Sequence, residues 1–568
     1  MIRSDHPENP SLFPLTGAAG EPLRADRVLI IGLDGATWSI LGPALEGGYM
    51  PRLAHLGSTG CSGVLTSVVP AITPAAWCSF QTGSDPGRTG IVDFTRFDRA
   101  AGCEVPVDTR RLPETLWERV GRAGRRVGVV NLPMTWPPRE VNGFLVSGLL
   151  TPSTGSVFTH PPELGSELLE AVPDYHIFNL ETAVEEANRE SLEAFLDFAA
   201  ATVATRAEAA CWLVRRQPVE LLMVHFQATD IVQHVLWHYL DPGHERFDPA
   251  KNRLIFERFY GALDRAVGRV LDTFAAQRSD SPVTFVISDH GFQRHAKRFN
   301  LWLWLVQQGW LIPGLAGAAA LSDTVAGGIV TGTTAAFPES DPPVASSSTW
   351  SQAPVDLATS RALSTGRSNE AFIWLLVDDP VERDRIADTI VTDLEAVRDP
   401  LDGEPLVERV CRREDIWSGP RLEECPDLVV VPAGPVSITG RFDPGTDLVI
   451  PVEPGHDFHA GRHHPDGIII VSGPGILPTP VPAHTVGGAG TDGPVATPDS
   501  VPFTDLKTRL VDVAPAVLAL LGIEEEGPGR GEDAANTAED AAHTPGDAVY
   551  TPEEKAIIEK RLRDLGYF

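Results

Sequence analysis

Six short apolar runs are spaced along the chain, and three of them lead into a carboxylate. They read "RVLIIGLDG" (27–35), "RVGVVNLP" (126–133), "ELLMVHFQ" (220–227), "VTFVISD" (283–289), "DLVVVPAG" (427–434) and "GIIIVSGPG" (467–475). Runs this uniform, without apolar–polar alternation, suit strands buried on both faces, as in a parallel sheet. Helical patterns lie between them, for example around 183–215 and 252–277. The predicted fold is therefore α/β: a doubly wound, mostly parallel sheet with helices on both faces. In such a sheet, ligands bind in the crevice outside the carboxyl ends of the strands.

Two segments interrupt the pattern and divide the chain. Residues 1–25 read as a flexible leader, 26–310 as the first part of the core, and 421–523 as its second part. Between them, 311–370 is rich in Gly, Ala, Ser, Thr and Pro, as either a plain linker or a lid would be. Residues 371–420 read as a small αβ appendage, and 524–568 as an acidic linker followed by a short helix. Within the second core part, "RLVDVAPAVLALLGI" (509–523) has the pattern of an amphipathic helix.

Charge and cysteine usage exclude several function classes. A formal charge of −31 argues against nonspecific binding to nucleic acid or to anionic membranes. No stretch has the length of a membrane span, and the N-terminus lacks the basic-then-apolar order of a signal peptide. The six cysteines are scattered without a CxxC, which fits free thiols in a reduced compartment. The expected location is cytoplasmic.

Polar residues gather where strands end. Asp34 closes the first run, Asp230 follows the third, and Asp289 and His290 close the fourth in "ISDHGF". A lone acid at such a place is most often a helix cap. Three acids delivered to one crevice repel one another unless a cation lies between them. His234 follows Asp230 by four residues, so on a helix the two share a face and can close on one metal ion; His238 continues that face. In "PAITPAAWCSFQTG" (70–83), Thr73 is a good N-cap and Pro74 suits the first helical position. A hydroxyl there sits in the positive field of a helix N-terminus, and a nearby cation would make it a nucleophile; simple capping is the competing reading. The loop "HDFHAGRHHPDG" offers His456, His459, His463 and His464 as a further ligand, and spacing alone does not choose among them.

Taken together, these stretches resemble the alkaline phosphatase superfamily, in its type I phosphodiesterase/nucleotide pyrophosphatase branch, and the prokaryotic predicted phosphohydrolase/phosphomutase group within it. The resemblance runs from "VLIIGLDG" to "DVAPAVLALLGI" outside the insertion, and implies an alkaline-phosphatase-like fold. It implies two divalent metal ions, one held by Asp34, Thr73, Asp289 and His290, the other by Asp230, His234 and His463. His463 is preferred for the family's H-x-x-x-G-I spacing, and Thr82 and Gly83 match the "TG" after the nucleophile. Mixed Asp/His ligation suits Zn2+, with Mn2+ or Fe as alternatives. The implied activity is phosphodiester hydrolysis through a phospho-threonine intermediate on Thr73, with a small-molecule phosphate ester as substrate.

Two positions depart from the family pattern. Ala76 stands where nucleotide pyrophosphatases usually have an Asn that donates to a phosphate oxygen, and Thr89 stands where relatives often have His. Asn300, in "RFNLWLWL", is the candidate replacement donor for the substrate. These departures keep a phosphomonoesterase or phosphomutase in play, and a metal-stabilised protein without turnover is the reading from another class.

Overall fold

The computed structural model describes residues 22–99, 101–178, 191–314, 355–366, 369–441, 447–452, 460–478, 507–524 and 550–564. Most of the expected leader and insertion, the acidic stretch 525–549, and His456 and His459 lie outside the described residues.

The centre of the molecule is a nine-stranded sheet. Its strands in chain order are β1 (Val28–Leu33), β2 (Cys61–Thr66), β3 (Val127–Val130), β4 (Gly143–Val146), β5 (Thr159–His160), β6 (Leu221–Phe226), β7 (Val283–Ile287), β10 (Asp466–Ser472) and β11 (Lys507–Arg509). Two further strands, β8 (Gly291–Arg294) and β9 (Gly461–His464), form an antiparallel ribbon beside it. The spatial order is β11-β2-β10-β7-β1-β6-β3-β4-β5. The run β7-β1-β6-β3-β4 is parallel throughout, as the uniform apolar runs predict.

Alternation along each strand explains why helices cover both faces. Leu29, Ile31 and Leu33 of β1 enter one apolar cluster, with residues of helices α2 (Leu192–Arg216), α3 (Ala228–Leu240) and α4 (Gly261–Ala275). Val28 and Ile30 enter the opposite cluster, with Trp77 and Phe80 of helix α1 (Thr73–Thr82) and the helix at Val513–Leu520. Every residue of β1 is buried, so neither face tolerates a polar side chain until Asp34.

Three expectations are corrected. "GIIIVSGPG" does form a strand of the main sheet, β10, but it pairs antiparallel to both β7 and β2. "DLVVVPAG" is not in that sheet at all. Leu428–Pro432 pairs antiparallel with Ala371–Leu375 and Val407–Arg412, in a separate four-stranded sheet packed on the helix Pro380–Glu395. An apolar run records burial, and burial is the same in either sheet and either direction. The start of the 509–523 helix pattern is also spent differently: Lys507–Arg509 is edge strand β11, and the α-helix begins at Val513.

Candidate metal centre and nucleophile

The acids meet because three neighbouring strands end together. Gly32 of β1 is in register with His225 of β6 and with Ile287 of β7, so Asp34, the start of α3 and Asp289 emerge side by side. Asp230 sits in the first turn of α3, and His234 lies one turn on along the same face. The β8–β9 ribbon supplies the remaining ligand position, since Phe292 pairs with His463 and Gly291 with His464. That register, not spacing along the loop, places His463 inside while His464 is only partly buried.

Two triads of possible ligand atoms result: Asp34, Asp289 and His290, and Asp230, His234 and His463. All six residues are buried, and within each triad the ligand atoms lie within 4.8 Å of one another. The triads adjoin, with the His290 and His463 rings stacked at 3.7 Å between centroids.

The imidazoles are oriented as metal ligands are. His234 Nδ1 lies 2.9 Å from the Gly461 carbonyl, His463 Nδ1 3.1 Å from that of Ala71, and His290 Nδ1 3.1 Å from that of Gly291. Donation to a carbonyl assigns the proton to Nδ1 and leaves each Nε2 lone pair pointing inward. The Nε2 atoms of His234 and His463 are then 3.0 Å apart with no proton between them. Asp230 has neither carboxylate oxygen hydrogen-bonded, and Asp289 Oδ2 is also without a donor. Buried acceptors left in this state are costly, and a cation in each triad would satisfy them. The residues present fit divalent metal ions.

Burial dominates the electrostatics. It pushes the Asp230 carboxyl up to about 6 and the Asp289 carboxyl well above its ordinary value, with the Asp34 charge adding to both. It pulls His234 down to about 4 and His463 well below its usual range. Burial acts on Asp34 in the same upward sense, but His225, His290 and Trp77 outweigh it and hold that carboxyl below its ordinary value. His234 and His463 are thus neutral and ready to ligate, and burial favours the protonated form of Asp230 and Asp289, which a cation would displace.

Thr73 is not a cap. The N-cap position is Ile72, Thr73 is the first helical residue, and its Oγ1 lies 3.5 Å from both Asp34 Oδ1 and His290 Nε2. Pro74 stands second in the helix, one place later than expected. The hydroxyl therefore faces the first triad, fully buried, at the N-terminus of α1. Ala76 packs in the apolar cluster on the opposite side of the sheet from α3 and offers no donor. Asn300 caps the helix Leu301–Gln307 by accepting the Leu303 N–H on Oδ1 at 3.0 Å, its Nδ2 is buried without an acceptor, and no hydrogen bond joins it to either triad. His238 stays on α3, buried beside His244 and outside both triads.

Sequence reasoning misses His225 and Trp77. His225 Nε2 is 2.9 Å from Asp34 Oδ2, and Trp77 Nε1 donates to the same oxygen at 3.0 Å. They hold one oxygen of Asp34 so that the other faces Thr73 and His290, the usual task of groups behind a metal ligand. The signal was an imidazole in the middle of the buried run "LLMVHFQ".

The family model for type I phosphodiesterase/nucleotide pyrophosphatase matches residues 28–466. The chain belongs to this family. It is a hydrolase of phosphoric ester bonds, in the metal-dependent alkaline phosphatase superfamily. No curated protein matches the sequence. Phosphonoacetate hydrolase from Sinorhizobium meliloti 1021, solved with phosphonoformate and with phosphonoacetate, superposes with a TM-score of 0.52 at 18% identity, over 89% of this chain and 98% of that one. That likeness shows the fold. Human ectonucleotide pyrophosphatase/phosphodiesterase 5 is matched at a TM-score of 0.44 and 14% identity, over 88% of this chain and 95% of that one. The six cysteines are free, and among the described residues no helix is long and apolar enough to cross a membrane.

Proposed function

We propose that the protein hydrolyses a small phosphodiester, nucleotide-like in type, with Thr73 as nucleophile and two divalent cations, zinc first among candidates. The observation that carries this reading is the Thr73 hydroxyl, released from capping and set 3.5 Å from Asp34 and His290. Bound cations would lower the hydroxyl pKa, prepare the second nucleophile and offset charge on the transferred group. In the first step, the Thr73 Oγ1–phosphorus bond forms as the bond to the leaving alcohol breaks. In the second, water displaces Thr73 and restores the hydroxyl. His225 and Trp77 keep Asp34 turned toward Thr73 throughout, and the carbonyls of Gly461, Ala71 and Gly291 orient each imidazole through Nδ1 so that its Nε2 faces the site. The reading includes a cytoplasmic location, supported by the free thiols.

A monoesterase or phosphomutase is the second reading, favoured by the apolar burial of Ala76. Hydrolysis of bis-p-nitrophenyl phosphate beside p-nitrophenyl phosphate, with zinc or manganese and with Thr73→Ala as the blank, separates the two. A Thr73-dependent preference for the diester supports the first reading, and preference for the monoester replaces it with the second. A phosphonate belongs in the same assay, given the ligands of the hydrolase neighbour.

A further inference from the structure

The four-stranded sheet reaches into the metal centre at one point. Its strand Ala371–Leu375 is preceded by Asn369 and Glu370, both buried, at 1% and 7% exposure. Glu370 Oε1 accepts the backbone N–H of Ala71 at 3.2 Å. The carbonyl of that same residue accepts His463 Nδ1–H at 3.1 Å. Asn369 Nδ2 donates to Glu370 Oε2 at 2.5 Å, and Asn369 Oδ1 accepts from Nε of Arg462, the residue before His463, at 3.0 Å. Residue 71 is thus gripped on its N–H by the second sheet and presents its carbonyl to a candidate ligand.

A backbone N–H can be satisfied by a carbonyl or by water at little cost, whereas a buried carboxylate is an expensive acceptor. The nearby Arg462 guanidinium offsets part of that expense, and the rest has a return if the position of Ala71 matters, because its carbonyl fixes both the tautomer and the ring orientation of His463. We propose that Glu370 is a positioning residue, carried by the second sheet, that sets the His463 ligand through Ala71. The inference rests on the two-metal reading of the site. It assigns to the second sheet a part in metal affinity that no ligand motif reveals.

The test is a competitive chelator titration of zinc on the full chain, for the unsubstituted protein, Glu370→Gln, Glu370→Ala and His463→Ala. The expected result is two zinc equivalents in the unsubstituted protein, with one of them weakened about 10–100-fold in Glu370→Ala and the other unchanged. Glu370→Gln keeps an acceptor oxygen and restores the weakened equivalent to within about threefold. Adding Glu370→Ala to His463→Ala produces no further loss at that equivalent, since both act on one ligand. Where Glu370→Ala fails to fold, Glu370→Met takes its place, with similar volume and no oxygen. Both equivalents unchanged, or both weakened alike, would overturn the proposal while leaving the two-metal reading intact. An unsubstituted chain that binds no zinc would overturn that reading, and this proposal with it.

Discussion

Asp230 illustrates how a single residue declares its task. Its carboxylate is fully buried and neither oxygen is hydrogen-bonded, with Oδ1 facing only the Nε2 atoms of His234 and His463, a state that a folded chain keeps only where something else completes it. Its proton is held up to about pH 6, while His234 is neutral above about pH 4. A cation must therefore displace the Asp230 proton but no His234 proton over that range. Apparent affinity at this triad should fall about tenfold per pH unit below about pH 6 and level off above it, as read by zinc titration at a series of pH values. An affinity flat from pH 5 to 7 would show that burial does not hold the Asp230 carboxyl protonated in that range. His463→Ala should weaken one zinc equivalent by more than about 100-fold, and His464→Ala should leave both in place; equal losses would deny the inward placement of His463. Thr73→Ala should lower turnover at least about 10³-fold with metal content kept. Full activity in that variant would return Thr73 to a purely structural role.

At the scale of elements, the site depends on close approaches that only glycine permits. Gly35 follows Asp34 with φ at +64°, donates its N–H to Asp289 Oδ1 at 3.1 Å, and would place a Cβ 2.5 Å from the Phe292 ring. Gly291, the glycine of "ISDHGF", would place one 2.0 Å from the Asp466 carbonyl, where the β8–β9 ribbon turns into β10. Gly35→Ala should cost about 1–2 kcal/mol from the left-handed backbone alone, measured by urea denaturation, and should weaken zinc binding as Asp289 shifts. A variant as stable as the parent, with both equivalents bound, would contradict this view of the turn. Elements are also where the sequence was hardest to read. The ends of β1, β6 and β7 were legible because a carboxylate after an apolar run is conspicuous. The direction of β10 and the sheet that holds Leu428–Pro432 were not, because apolar runs carry no information on pairing. The resemblance picks His463 by its spacing to Gly467, and the register of β8 with β9 is the physical reason that it, not His464, faces inward; the capping role of Asn300 through Oδ1 looks the same in one dimension as that of a phosphate donor.

The whole molecule separates what folds the chain from what the site needs. Apolar clusters on the two faces of the main sheet and a third on the four-stranded sheet supply the core without help from the triads. Chelation should therefore abolish turnover and lower the melting temperature, while the far-UV circular dichroism at room temperature stays native-like. Loss of that signal on chelation would make the metals structural and favour a protein without turnover. Phe372 and Val429 of the second sheet, with Trp417 from beyond its strand Val407–Arg412, pack against the start of α1 beside Ile72 and Ala75, so the nucleophile segment is held between both sheets. The most direct test of the account is the stereochemical course at phosphorus, followed with an isotopically chiral diester. Two displacements, first by Thr73 and then by water, predict net retention of configuration. Net inversion would mean that water attacks the substrate directly and that no phospho-threonine lies on the path.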